Sequence, residues 1–179
     1  MRNEVIGGFR RLRDFGGRDT PGQFWLFAAV VLGLYVSVGF AGGVLITYPL
    51  MEAMFAIQAG AEPSSELLDR LDEHFDGATQ KLMLFTLLTT VSYYALMAAA
   101  VARRLHDIGR SARWGLLPIP FAAYAVVAFW VTWHEDFPTH WLFDSAAAAH
   151  ALYGLAVLGL IVLLALPGSP APNRYGDRR

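Results

Sequence analysis

The chain has 179 residues, of which 55% are apolar, with a mean hydropathy of +0.40 and a formal net charge of −1. That is more hydrophobic than a soluble domain of this length needs, and the apolar residues come in long uncharged blocks, the pattern of a polytopic membrane protein. Cysteine is absent, which excludes disulfides, thiolate metal ligands and cysteine nucleophiles.

Residues 1–23 form an arm in which Val5, Ile6, Phe9, Leu12 and Phe15 recur near helical spacing, with Arg10, Arg11 and Arg13 interleaved. The spacing predicts a short basic amphipathic helix lying on a membrane surface, with docking of a partner as the other reading. Residues 24–48 form the first uncharged stretch, long enough for the roughly 20 residues that cross a hydrocarbon core about 30 Å thick. It is too long for a signal-peptide core and no A-x-A site follows it, so it is expected to stay as an anchor. Within it Gly39 and Gly43 make a G-x-x-x-G pair that lets another helix approach, within the monomer's own bundle or in a homo-oligomer.

Residues 49–81 are acidic. PSSELLDRLDEHFD places Leu67, Leu68, Leu71 and Phe75 on one side and Glu66, Asp69, Asp72, Glu73 and Asp76 on the other, an amphipathic surface helix that Ser64 or Ser65 can cap. The second uncharged stretch is 82–102 and the third 114–133. The third opens with Pro118 and Pro120, which makes either a full span or a re-entrant segment possible. A second acidic loop, 134–145, leads to the fourth stretch, 146–166, and a tail, 167–179. A single all-α membrane domain of four transmembrane helices follows.

Basic residues fix its orientation. Twelve of the fourteen lie in the arm, in the turn 103–113 and in the tail, whereas Arg70 and Lys81 alone share the other loops with ten acids. By the positive-inside rule both termini are cytoplasmic and the acidic loops extracytoplasmic.

The turn RRLHDIGRSARWG concentrates polar chemistry between two apolar stretches. Arg103 and Arg104 complement the end of a helix dipole, Gly109 suits a turn, Ser111 can cap the next helix, and Asp107 needs an arginine partner. One reading is a structural clamp. Another is an anion site in which Arg104, Arg110 and a helix N-terminus near Ser111 meet a lipid phosphate or a partner's carboxylate, with His106 as a titratable donor. A hydrolase on His106 and Asp107 would need further metal ligands, and the basic loops hold no second histidine. His74, His134 and His140 among the outer acids lack ligand spacing, so acidity for solubility and topology is the simpler account. No Asp, Glu, Lys or Arg lies in the middle of an uncharged stretch, which argues against a charged-solute path through the monomer.

RRLHDIGRSARWGLLPIP, followed near the end by LPGSPAPNRYGD and preceded in the arm by FGGRDTPGQFW, resembles the motif set of a bacterial inner-membrane family, domain of unknown function 805, the YhaH-type proteins. The resemblance implicates Phe15, Gly17, Arg18, Phe24 and Trp25 in the arm. In the turn it implicates Arg103, Arg104, Leu105, His106, Asp107, Arg110 and Ser111, and in the tail Pro170, Asn173, Arg174, Tyr175 and Gly176. Pro21 stands where a second arginine is usual, Gln23 where glutamate is and Arg113 where an aromatic is common, which tells against a charge pair in the arm motif.

With four spans the three motifs exit on one side and can form one cluster. Asp107 is expected to neutralise Arg104 or Arg174, with Asn173 and Tyr175 hydrogen-bonding the turn. The resulting expectation is a non-enzymatic binding or accessory protein of the inner membrane, with no cofactor, metal or catalytic residue and no nucleic acid. Arg103, Arg104, His106, Asp107, Arg110 and Ser111 would meet anionic headgroups or a membrane-protein partner, supported by Arg18, Trp25, Asn173, Arg174, Tyr175 and Gly176. The alternatives are a small transporter or channel component and an enzyme acting on lipid phosphates.

Overall fold

The computed structural model describes residues 2–60, 65–134 and 140–176, and among these the regular structure is helical, with no strand. In chain order the elements are α1 Arg2–Arg10, α2 Pro21–Gln58, α3 Ser65–Asp107, a 3-10 turn Ala112–Leu116, α4 Ile119–His134 and α5 His140–Ala165.

Three of these are long and apolar enough to cross a membrane: Pro21–Gln58, Leu71–Asp107 and His140–Ala165. The remaining expected stretch, 114–133, is divided between the 3-10 turn and a helix of 16 residues. At 1.5 Å per residue α4 rises about 24 Å, short of a core about 30 Å thick. The prolines account for its start. The Pro118 carbonyl accepts from Ala122 N at 3.1 Å, and Pro120 falls in the first turn, where a missing N–H removes no helical bond. The two prolines therefore mark a helix beginning.

Other boundaries differ from expectation: α1 stops at Arg10, before Leu12 and Phe15, and α5 begins at His140, inside the expected loop 134–145. The first apolar helix continues through Pro49 to Gln58. The acidic segment is no separate surface helix: from Ser65 onward it is continuous with α3, a helix of 43 residues. No proline separates Phe75 from Leu82, and the one glycine there, Gly77, costs a helix only about 1 kcal/mol, so the helix propagates through. Ser64, the other expected cap, lies outside the described residues, as do Glu62, Glu135, Asp136, Arg178 and Arg179.

The chain divides into two compact units, Met1–Phe27 with Met97–Arg179, and Ala28–Leu96. In the second, Tyr35 and Tyr93 rings meet at 5.0 Å and the Tyr35 hydroxyl lies 3.3 Å from Thr90 Oγ1. Close approach occurs at Gly42, where a Cβ would lie 2.1 Å from Phe85 Cζ; a Cβ at Gly39 or Gly43 would meet nothing within 4 Å. The G-x-x-x-G pair thus faces away from the packing that the neighbouring glycine makes. Phe40 and Leu45, each 75% exposed, give this unit an apolar exterior suited to lipid.

The first unit holds most of the buried core. Phe24, Phe27, Met97, Ala99, Ala100, Ala102 and Leu105 are buried. Phe27 also packs edge-on against Phe9 of α1 at 5.2 Å. Helix α4 packs on α5 around Ala128, Leu142, Ala146 and Val131, with Tyr124 donating to Ser145 Oγ at 2.8 Å. The same unit contains five buried polar or charged side chains, Arg18, Asp19, Arg103, Arg104 and Asp107.

Candidate functional site

Those five side chains surround the C-terminal end of α3. The helix stops there in a Schellman turn: Arg110 N donates to Leu105 O at 2.8 Å and Gly109 N to His106 O at 3.0 Å. Gly109 has φ +74, a left-handed conformation that costs glycine nothing. Carbonyls at this end of the helix, where intrahelical donors run out, also accept from the arm and the tail. Asp19 N donates to Arg103 O at 3.3 Å and Ser169 N to Asp107 O at 3.0 Å. Asn173 Nδ2 donates to His106 O at 2.9 Å.

Two carboxylates organise the arginines. Asp107, wholly buried, accepts Arg104 Nη1 on Oδ2 at 2.5 Å and Arg18 Nε on Oδ1 at 3.1 Å, with Arg18 Nη2 at ion-pair distance, 3.0 Å, from the same oxygen. Asp19 accepts Arg103 Nε on Oδ2 and Arg11 Nη1 on Oδ1, both at 2.8 Å. Four guanidinium groups thus share two carboxylates, and backbone carbonyls absorb the surplus cationic charge. Arg18 reaches the tail at Ala171 O (2.9 Å), Gly176 O (3.1 Å) and Ser169 O. Arg103 reaches Arg11 O (2.8 Å) and Asp14 O in the arm. Arg104 donates to Leu164 O (2.9 Å) and Leu166 O, so a side chain of α3 supplies the cap that α5, with no basic residue in its last turn, lacks. Arginine suits these positions because its planar fork presents several rigid donors at fixed angles, which a lysine cannot do.

The sequence-predicted residues fall into three groups. Arg18, Arg104, Asp107, Asn173 and Gly176 are joined in one hydrogen-bonded network, the Gly176 carbonyl serving as an acceptor, while Arg103 belongs to a neighbouring one on Asp19. His106 and Tyr175 form a stack above it, with centroids 3.8 Å apart and planes at 9°. Arg174 lies over the Tyr175 ring at 4.8 Å and donates to Gly109 O at 3.3 Å. The remainder face outward. Arg110 is exposed, 6.0 Å over the Trp114 ring. Trp25 is 40% exposed and edge-on to Phe24. Ser111 caps the five-residue 3-10 turn, accepting from Arg113 N at 3.4 Å, so its amide end is already occupied.

Three details differ from expectation. Asp107 pairs with Arg104 as expected, but its second partner is Arg18 and not Arg174. Tyr175 contributes a stacked ring, while its N–H binds Asn173 Oδ1 at 2.9 Å. The arm does hold an ion pair, Arg11 with Asp19, but not at positions 21 and 23, where the motif's departures tell against one. Pro21 and Gln23, the departures there, build the start of α2: Thr20 and Gln23 form a capping box, Thr20 N to Gln23 Oε1 at 3.0 Å and Gln23 N to Thr20 Oγ1 at 3.4 Å, with Pro21 at the first helical position.

Sequence reasoning missed Asp19, Arg11 and Ser169. For Asp19 a signal existed: it is an acid between Arg18 and a T-P-x-Q helix start, where a solvated side chain had no evident purpose. Ser169 carried none, since its role depends on the fold of the tail.

No curated protein and no solved structure matches the chain. The family described as protein of unknown function (DUF805) matches residues 12–177, a range that takes in the arm motif, both carboxylates, the turn and the tail through Gly176. The chain belongs to the DUF805 family.

Proposed function

We propose that this chain is a non-enzymatic integral protein of the bacterial inner membrane whose polar end, cytoplasmic in this reading, binds anionic headgroups or a partner protein. The observation that carries the reading is a division of labour among the arginines. Arg18, Arg103 and Arg104 are buried and fully engaged with protein acceptors. Arg10, Arg13, Arg110 and Arg113 are exposed and donate to no carboxylate or carbonyl among the described residues. Replacing a buried ion pair by well-packed apolar residues is often neutral or stabilising, so net stability alone does not account for these pairs. Here they tie arm and tail to the end of α3, giving the exposed cations a fixed frame. A cation near an anionic leaflet gains about 1 kcal/mol, and the excess of basic residues in these segments favours the same side of the membrane.

The test is lipid analysis of the protein extracted into polymer discs without detergent. Anionic phospholipid should be enriched around it relative to the bulk membrane, or a partner should co-extract stoichiometrically. A lipid composition equal to the bulk with no partner would refute the reading.

A further inference from the structure

The 3-10 turn between α3 and α4 is the part of the polar end whose chemistry the buried network does not absorb. Its inner side is fixed, since a Cβ on Gly115 would lie 2.9 Å from Val101 Cγ1 and 3.6 Å from Leu105 Cδ1. Its outer side is a shallow groove of about 300 Å³ lined by Arg113, Trp114, Leu116 and Leu117. Trp114, Leu116 and Leu117 are 45%, 58% and 44% exposed. Arg110 stands at its edge, over the Trp114 ring at 6.0 Å.

Each component has a counterpart in one ligand. Two cations without acceptors among the described residues suit a phosphodiester, and guanidinium forks match phosphate oxygens in pairs. Tryptophan prefers the boundary between headgroups and acyl chains. Leucines beside it offer an apolar floor that water would leave uncovered. The turn also joins the end of the uncharged stretch 82–102 to the apolar helix α4, where headgroup and chain meet.

We propose that Arg110, Arg113, Trp114, Leu116 and Leu117 form a binding site for a single anionic glycerophospholipid, with its phosphate between the two arginines and an acyl chain along the leucines. This rests on the reading above and narrows it: the bound species is lipid and the site is the shelf of the 3-10 turn, not the buried motif arginines. An acidic peptide of a partner could match the charges, but it would have no use for the leucine floor.

The experiment uses the full chain in detergent, titrated with phosphatidylglycerol or phosphatidylcholine and read by native mass spectrometry, with thermal unfolding as a check on folding. The parent should retain phosphatidylglycerol in preference to phosphatidylcholine. The double change Arg110→Gln with Arg113→Gln should weaken phosphatidylglycerol retention about thirtyfold, from about 1 kcal/mol per arginine, at an unchanged unfolding midpoint. Leu116→Ser with Leu117→Ser should lower retention of both lipids. Arg10→Gln with Arg13→Gln, on the arm, removes the same charge from exposed cations outside the shelf and should weaken phosphatidylglycerol retention less than the shelf pair does. Equal losses from the arm and shelf variants would reduce the effect to diffuse charge and overturn the site. A preference in the parent that survives the shelf changes overturns the shelf while leaving the broader reading standing; no preference in the parent defeats lipid recognition altogether. A photo-crosslinker at position 117 in native membranes should yield a lipid adduct, and an adduct of protein mass in its place would overturn the proposal in favour of a partner.

Discussion

Replacing Asp107 by asparagine keeps the shape of the side chain and removes its charge from the centre of two buried guanidinium groups. Arg18 and Arg104 are 1% and 0% exposed and Asp107 0%, so neither cation can rehydrate where it stands. The amide would also turn an N–H₂ toward one of them. Arg18 keeps its bonds to Ala171, Gly176 and Ser169, and Arg104 those to Leu164 and Leu166, which limits the loss to the electrostatic part. Breaking a buried pair by removing one partner costs about 3–5 kcal/mol. For a chain of this length that lowers an unfolding midpoint by about 6–20 °C. The same change at Asp19 should cost less, because its partner Arg11 is 25% exposed and can return to water. Thermal unfolding in detergent measures both variants, and trypsin cleavage after Arg174 reports release of the tail. An Asp107→Asn protein that melts within about 2 °C of the parent and holds its tail against trypsin would refute the argument that this carboxylate neutralises the cluster.

Arg18→Lys retains the charge but loses the fork that reaches both Asp107 and the tail carbonyls, so tail release by trypsin should accelerate even at low salt; protection equal to the parent would mean that charge alone suffices. In the other unit, Gly42→Ala drives a Cβ to 2.1 Å from Phe85 Cζ and should lower the unfolding midpoint, with recovery on adding Phe85→Leu. Gly39→Ala and Gly43→Ala, which meet nothing, should be neutral or stabilising by up to about 1 kcal/mol, and comparable losses at all three would place the packing elsewhere. For topology, the absence of native cysteine allows single cysteines at 73, 144 and 175. An impermeant reagent should label the first two from outside intact cells and the third only after permeabilisation.

The class of the fold was legible because lipid imposes a coarse rule: long uncharged stretches must be helices with their backbone bonds satisfied internally. That rule located α2, α3 and α5 and says little about where a helix stops once it leaves the apolar stretch. Hence α2 continues to Gln58 and α3 begins as early as Ser65, beyond the expected ends. It also treats 114–133 as one apolar run, although Gly115 packs against α3 and the chain restarts at Pro118. Hydropathy sees residue type; the break comes from turn chemistry and from a close approach that depends on a distant helix.

The turn, arm and tail show a different limit. Asp107 was legible as an acid needing an arginine, with Arg104, in the same turn, and Arg174, in the tail motif, as the candidates. The actual second partner, Arg18, is 89 residues away; its motif marks it out, but charge and residue type alone do not distinguish it from Arg10 or Arg13, which stay exposed. Counting arginines by segment gives each the same weight, as the positive-inside rule requires, whereas burial separates them into ties and surface cations. The acids make that separation possible. Asp19 and Asp107 flank the segments whose arginines turn inward, and each accepts two guanidinium groups. A lone acid in a basic stretch, as Asp107 is in 103–113, is thus a place to expect a folded polar core, while basic residues without an acid between them, such as Arg110 and Arg113, are the ones left to meet an anion from outside.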